Sequence, residues 1–281
     1  MTKRLSTGIV ALCAALLCSL TAAMPARAEE QALRIGVAPH TSARVILEQY
    51  QPVRRAVEEA FGRPVEIVTA PDFTVFARRA LDQDYDVAVT TGHQAQLLRK
   101  DAGYLPLLTY ASDFRAVVVT AAKGPYRTAE SLAGTTVLGL SPSSLVTLWG
   151  QRWLADRAPP DIQLRYVSAA DSVAQLILAG DASAGFMSLA NLAKLAPEVQ
   201  VQLATIAQSP PMAGRAYMLN GRQAALAEPL RKALLAFGAT NEGKTYFDSN
   251  QLGGYRPVTD AELEAMEPLA EEVRRVLKAG K

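Results

Sequence analysis

The side chains of this sequence able to grip a small polar molecule gather at one kind of place. Short β-branched runs end, and hydroxyl, imidazole, amide or carboxylate groups follow at once. After the run 33–37 come His40, Thr41 and Ser42, and after 87–89 come Thr90, Thr91 and His93. After 136–140 come Ser141, Ser143 and Ser144, with Thr147 one turn on. Asp171 opens the helix after 162–166, and Ser188 and Asn191 follow 184–187. In α/β sheets the carboxyl ends of strands are where helix N-termini present free N–H groups and positive dipole ends to a ligand. Both histidines of the chain belong to this set. The chemistry on offer is recognition by hydroxyl, imidazole, carboxylate and amide groups. Ser143 and Ser144 behind Pro142 make a tight anion cradle, whereas Asp171 would repel an anion and favour a cation. Tyr110 is expected near a hinge and is a candidate ligand-binding residue, and Arg115 can meet an anion or pair with Asp113. Each position also has a plain structural use. Ser, Thr and Asp at helix starts are ordinary N-caps worth about 1 kcal/mol each. Tyr110 can serve as a wall, and Trp149 and Trp153, four apart on one helix, as core.

Catalytic signatures are missing. The chain has no Gly-x-x-x-x-Gly-Lys-Ser/Thr loop, no Gly-x-Ser-x-Gly elbow and no His-Glu-x-x-His pair. A nucleophile–base pair would have to come from His40 or His93 beside a strand-end serine. Two histidines, and no cysteine beyond Cys18, argue against zinc. No catalytic residue, metal or cofactor is expected.

The elements that must position these groups follow from periodicity. Runs 33–37, 65–68, 87–89, 116–120, 136–140, 162–166, 184–187 and 216–219 read as strands. Between them lie segments of helical spacing, such as Val45, Ile46, Tyr50, Val53, Val57 and Phe61 with Gly62 as a stop. Further helices are expected at about 129–133, 143–156 and 171–179, and a mostly helical tail from 223 to 278. This alternation predicts an α/β protein of two lobes, each a mostly parallel sheet flanked by helices, with a ligand cleft between them. Residues 29–115 and 217–281 form a discontinuous lobe 1, and 116–216 form lobe 2. The crossings fall near 111–119 and 212–219.

The N-terminus reads as an export signal. Lys3 and Arg4 precede an apolar stretch from about Ile9 to Met24, and Ala26-Arg27-Ala28 supplies small residues at a cleavage site before Glu29. The stretch is interrupted by Ser19 and Thr21 and falls short of the ~20 residues of a membrane span. Residues 1–28 are therefore expected to be a cleaved signal peptide directing the chain to the periplasm. Removing 28 of the 281 residues leaves 253, without either cysteine, so no disulfide supports the fold. The signal also takes three of the 29 Lys and Arg, leaving 26 against 27 Asp and Glu. A near-neutral chain without a long basic run is not expected to bind nucleic acid.

Several segments in order carry a likeness. Leu33-Arg34-Ile35-Gly36-Val37-Ala38-Pro39, Tyr50-Gln51-Pro52, Phe61-Gly62-Arg63-Pro64-Val65-Glu66, Ala70-Pro71-Asp72-Phe73, Tyr85-Asp86-Val87-Ala88, Ser131-Leu132-Ala133-Gly134 and Ser141-Pro142-Ser143-Ser144 resemble the phosphate/phosphite/phosphonate-binding family of periplasmic proteins. The likeness runs from Leu33 to about Tyr255. It implies a type II periplasmic binding fold, a ligand in the interlobe cleft and delivery to an ABC importer. Members that bind phosphonates use an Asp-Pro-x-Ser-Thr-Ser turn. Here Ser144 matches the first serine, Leu145 and Val146 replace the next two polar residues, and Thr147 is displaced by one position. Where the family often places a histidine, this chain has Asp171. The scaffold is thus shared, while simple alkylphosphonates are expected to bind poorly.

The expected function is a monomeric periplasmic solute-binding protein for a phosphonate-like, other oxyanionic or small organic ligand. Its partner would be an inner-membrane ABC permease. The alternative is a ligand-sensing subunit that docks on a membrane histidine kinase, and a hydrolase on the same scaffold is a third class. A shared fold does not by itself choose among them.

Overall fold

The computed structural model describes residues 31–157 and 161–279, so the expected signal segment 1–28 lies outside the described residues. In chain order the elements are β1 (Leu33–Val37), α1 (Ala43–Gln49), α2 (Gln51–Phe61), β2 (Val65–Val68), α3 (Phe73–Leu81), β3 (Val87–Thr91), α4 (Gly92–Ala102), β4 (Leu105–Tyr110), β5 (Ala116–Ala121), β6 (Thr136–Gly139) and α5 (Leu145–Ala155). They continue with β7 (Gln163–Tyr166), α6 (Ala170–Ala179), β8 (Ala184–Ser188), α7 (Leu189–Lys194), α8 (Pro197–Gln200), β9 (Leu203–Gln208), β10 (Arg215–Leu219), α9 (Ala227–Ala239), α10 (Asn241–Asn250), β11 (Tyr255–Arg256), α11 (Asp260–Glu264) and α12 (Glu267–Ala279). Local chemistry sets many boundaries. The Asp72 carboxylate accepts from the Thr74 and Val75 N–H groups to start α3, and Thr259 with Glu262 forms a capping box on α11. Gly180, at φ 83°, ends α6 in the left-handed conformation that a side chain would strain.

Two sheets result, in the orders β11-β4-β10-β3-β1-β2 and β7-β6-β8-β5-β9. Both are mixed. The pairs β1–β2, β1–β3, β6–β7 and β6–β8 are parallel, as crossover connections through helices allow. The chain leaves the first sheet after β4 and returns as β10, which runs antiparallel to both β3 and β4. In the second sheet β5 likewise lies antiparallel to β8 and β9. The connecting segments are 111–115 and 209–214, and they pair with each other through a bridge between Phe114 and Met212. Because β10 begins at Arg215, residues 215 and 216 pair within the first sheet.

Three strands escape sequence periodicity. β4 contains Pro106, which cannot donate to a ladder, and it pairs with β10 across a register shift. β9 is a half-buried outer strand that mixes apolar and polar residues. β11 is a two-residue strand inside the expected helical tail. The helix expected near 129–133 is a single 3-10 turn, Glu130–Leu132.

Alternate strand residues carry the cores. Leu33, Ile35 and Val37 meet Ile46, Tyr50, Val53 and Val57 on one face of the first sheet. Val117, Val119, Leu138 and Met187 meet Val173 and Ile177 in the second. A further cluster joins the helices of the two sheets. Leu145 and Leu148 of α5 pack with Ala77 and Leu97 and with Leu269, Ala270, Val273 and Leu277 of α12. Burial of each such Leu contributes roughly 1.5–3 kcal/mol. The C-terminal helix thereby holds the start of α5 close to α3 and α4, and so shapes the cleft beside it. No described helix is long and apolar enough to cross a membrane.

Candidate functional site

A cavity of about 120 Å³ lies between the two sheets, beside the crossing segments. Of the polar residues singled out in the sequence, His40, Thr91, Tyr110, Ser144, Ser188 and Asn191 line it. They come from the ends of β1, β3, β4 and β8 and the starts of α5 and α7, as the strand-end argument requires. Thr41 and Asp171 line an adjoining outer recess that shares His40, Asn191, Lys194 and Asn250 with the cavity.

The others are spent on structure. Ser42 caps α1, accepting from the Val45 N–H. The buried Thr90 hydroxyl donates to Gln94 Oε1 at 2.9 Å. His93 is fully buried. Its Nε2–H donates to the Ser143 carbonyl at 2.9 Å and its Nδ1 accepts from the Thr91 hydroxyl at 3.2 Å. The Ser143 hydroxyl meets Thr74 Oγ1 at 2.8 Å. These contacts tie the turn before α5 to helices α3 and α4 of the first sheet. Thr147 is buried and turned inward, its Oγ1 accepting from the Leu140 N–H at 2.9 Å and the Ser144 hydroxyl at 2.8 Å. Gly139 makes room for this arrangement, since a Cβ there would stand 2.8 Å from Thr147 Oγ1. Ser141 Oγ is buried without a partner among the described residues. At the altered turn, then, the cavity meets Ser144, Leu145 and Val146 but not Ser143 or Thr147.

The dominant group of the cavity is Arg215, at the first position of β10, which the strand-end reading did not single out. Its Nη1 donates to His40 Nε2 at 2.7 Å and lies 3.4 Å from the Tyr50 hydroxyl. Its guanidinium carbon sits 5.2 Å from the centre of the Tyr110 ring, in cation–π range. No carboxylate pairs with it among the described residues, and its Nε and Nη2 have no protein acceptor there. Burial opposes the charge of Arg215, but the surrounding phenolic oxygens of Tyr50, Tyr110, Tyr246 and Tyr217 outweigh that opposition and the group stays cationic. Beneath it these tyrosines form a buried network. The Tyr110 hydroxyl lies 2.8 Å from that of Tyr217 and 2.7 Å from that of Tyr246, and Tyr217 reaches Tyr255 at 2.9 Å.

Lys194, at the rim, is a second cation, lowered in pKa by burial and by the Arg215 charge. Burial and the same charge hold His40 down to about 3. His40 is thus a neutral imidazole, donating from Nδ1 to the Ala38 carbonyl at 3.0 Å and accepting from Arg215 at Nε2. Burial lowers His93 to about 4. Neither histidine has a serine hydroxyl as partner, so no Ser–His nucleophile pair is assembled among the described residues. Asp113 also lines the cavity and pairs with Arg115 at 3.4 Å. The remaining wall is apolar: Phe73, Phe114, Leu140, Leu145, Val146 and Leu252. Among the described residues, no group of three or more His, Cys, Asp or Glu side chains is placed to hold a metal ion.

Sequence signals for Arg215 and Lys194 were weak. A lone arginine opening a strand and a lysine closing a short helix look like surface residues until the fold brings β10 opposite His40.

The comparisons with known proteins agree with this architecture. PhnD1 from Prochlorococcus marinus, solved with methylphosphonate, superposes with a TM-score of 0.77 at 13% identity over 87% of this chain and 98% of that one. A Xanthomonas citri protein solved with chloride superposes at 0.72 and 20% identity, covering 88% and 99%. A binding protein component of an ABC phosphonate transporter from Pseudomonas aeruginosa gives 0.69 at 16% identity, covering 88% and 93%. At these identities the likeness shows the fold, a type II periplasmic binding protein of two α/β lobes. No curated protein matches the chain by sequence. The model of the family described as ABC transporter, phosphonate, periplasmic substrate-binding protein matches residues 35–263. The chain belongs to that family of periplasmic substrate-binding proteins.

Proposed function

We propose that the protein captures a small anionic solute between its lobes and delivers it to an inner-membrane ABC permease, without catalysing a reaction on it. Arg215 carries this reading. A partly buried guanidinium facing a cavity with no carboxylate partner is costly to maintain, and an anion that enters supplies the missing counter-charge. Lys194 adds to the attraction, and His40, held neutral, fixes the guanidinium without adding a competing positive charge. We place the binding residues at His40, Thr91, Tyr110, Ser144, Ser188, Asn191, Lys194 and Arg215, with Thr41 and Asp171 in the outer recess. The lobes would rotate about the crossings 111–115 and 209–214, closing on the ligand. The acting species would be a monomer beginning at Glu29 after signal cleavage, which intact-mass measurement of the periplasmic form checks.

Thermal shift against a panel of anions, cations and neutral solutes, paired with X-ray scattering, tests the proposal. A bound anion at about 100 times its Kd stabilises the native state by about 2.7 kcal/mol. For a chain of this size that raises Tm by roughly 5–10 °C. Scattering should contract with the same anion. Stabilisation by cationic solutes alone would sink the anion reading, and stabilisation without contraction would sink closure.

A further inference from the structure

We propose that the ligand of this cleft is a short-chain aliphatic monocarboxylate rather than a phosphonate. This rests on the anion-binding reading above and is argued from four observations.

The first is the hydrogen-bonding edge. Arg215 spends Nη1 on His40 and Tyr50, which leaves Nε and Nη2. Those two nitrogens form the side of the guanidinium with parallel N–H bonds, the geometry that a carboxylate matches oxygen for oxygen. The second is charge. The cavity lining holds two cations, Arg215 and Lys194, against one carboxylate, Asp113, with His40 neutral. Asp113 is already paired with Arg115, so the lining keeps a net positive charge that draws an anion.

The third is the wall. Where a phosphonate binder would need hydroxyl donors at the start of α5, this cavity has Leu145 and Val146. Of the hydroxyls at that turn, Ser143 is engaged with Thr74, and Ser144 donates to Thr147. Phe73, Phe114, Leu140 and Leu252 extend the apolar surface. The fourth is size. An apolar cavity of roughly 150 Å³ accommodates benzene, so the 120 Å³ beside Arg215 holds about six non-hydrogen atoms before a ligand reaches the outer recess. Together these describe a carboxylate head on Arg215 and a two- to four-carbon body on the leucine and phenylalanine face.

Calorimetry on exhaustively dialysed protein decides it, using acetate, propionate, butyrate, valerate and hexanoate beside methylphosphonate, phosphate and ethanesulfonate. Affinity should rise about fourfold per methylene over the early members, then fall once the chain outgrows the cavity. Butyrate should bind at least tenfold more tightly than methylphosphonate. Arg215→Lys keeps the charge and loses the paired edge, so it should weaken butyrate more than tenfold. Leu145→Thr should reverse part of the preference, which a ratio of affinities reads even if that variant is less stable. Tighter binding of methylphosphonate, phosphate or ethanesulfonate, or a flat chain-length series, overturns the carboxylate assignment and leaves the anion reading intact. Binding of none of the eight anions overturns both.

Discussion

Replacing Arg215 by methionine separates the two energetic roles of that residue. In the protein without ligand, the substitution removes the 2.7 Å bond to His40 Nε2 and the stacking on Tyr110. A hydrogen bond involving a charged group is worth about 1.5–3 kcal/mol, and the cation–π contact about 0.5–2 kcal/mol. Against this stands the cost of holding an unpaired guanidinium out of water, several kcal/mol for an ion withdrawn from solvent, and its repulsion with Lys194. Methionine is unbranched and fills irregular space, so little cavity is left behind. The contributions nearly cancel, and the stability without ligand should stay within about 1 kcal/mol of the parent, or about 2–4 °C in Tm. Binding behaves differently. Two charge-assisted hydrogen bonds to the anion disappear, about 3–6 kcal/mol together, which is roughly a hundredfold to ten-thousandfold in Kd. The assay is thermal melting of both proteins with and without the best anion, followed by calorimetry. A fall of 10 °C or more without ligand would show Arg215 to be a structural residue. An undiminished anion response would remove it from the site.

Other outcomes follow from the same geometry. His40 and His93 are held neutral, at about 3 and about 4, against an unfolded value near 6.5. The unfolded chain binds more protons in that window, so stability is fully present above pH 6.5 and declines as pH falls toward 4 and then 3, by up to about 1.4 kcal/mol per pH unit for each histidine. Urea melts at pH 7.5, 6 and 5 measure this slope, and an unchanged midpoint would refute it. A double-mutant cycle of Thr74→Val with Ser143→Ala should give a coupling of about 1 kcal/mol for the hydroxyl contact joining the lobes. Gly36→Ala places a Cβ 2.5 Å from the Tyr85 ring and should cost about 1–3 kcal/mol in chemical denaturation, without a change in ligand preference. Tyr110→Phe strips the central hydroxyl from Tyr217 and Tyr246, and should destabilise by about 1–3 kcal/mol for each partner left without a bond.

The sequence by itself determined the class of fold and the neighbourhood of the site. β-branched runs such as 33–37 and 116–120 specify strands through local pattern, helix starts at Ser42, Asp72 and Ser144 are written in capping side chains, and ligands of α/β sheets meet strand ends. That logic led to His40, Thr91, Ser144, Ser188 and Asn191 at the cavity, and equally to Ser42, Thr90, His93, Ser143 and Thr147, which lie outside its lining. Only the tertiary structure decided which of two adjacent serines lines the cavity. Ser143 is drawn away by Thr74, 69 residues earlier, while Ser144 stays at the cavity wall. Only the fold could reveal Arg215, because its meaning depends on meeting His40, 175 positions distant, in a place without a carboxylate. It also set the two histidines in opposite tautomers, one accepting from a guanidinium and the other donating to a carbonyl. Propensity and capping act over a few residues and can be read along the chain. Charge balance and donor direction depend on what the far side of the cleft supplies, and folding alone brings those partners together.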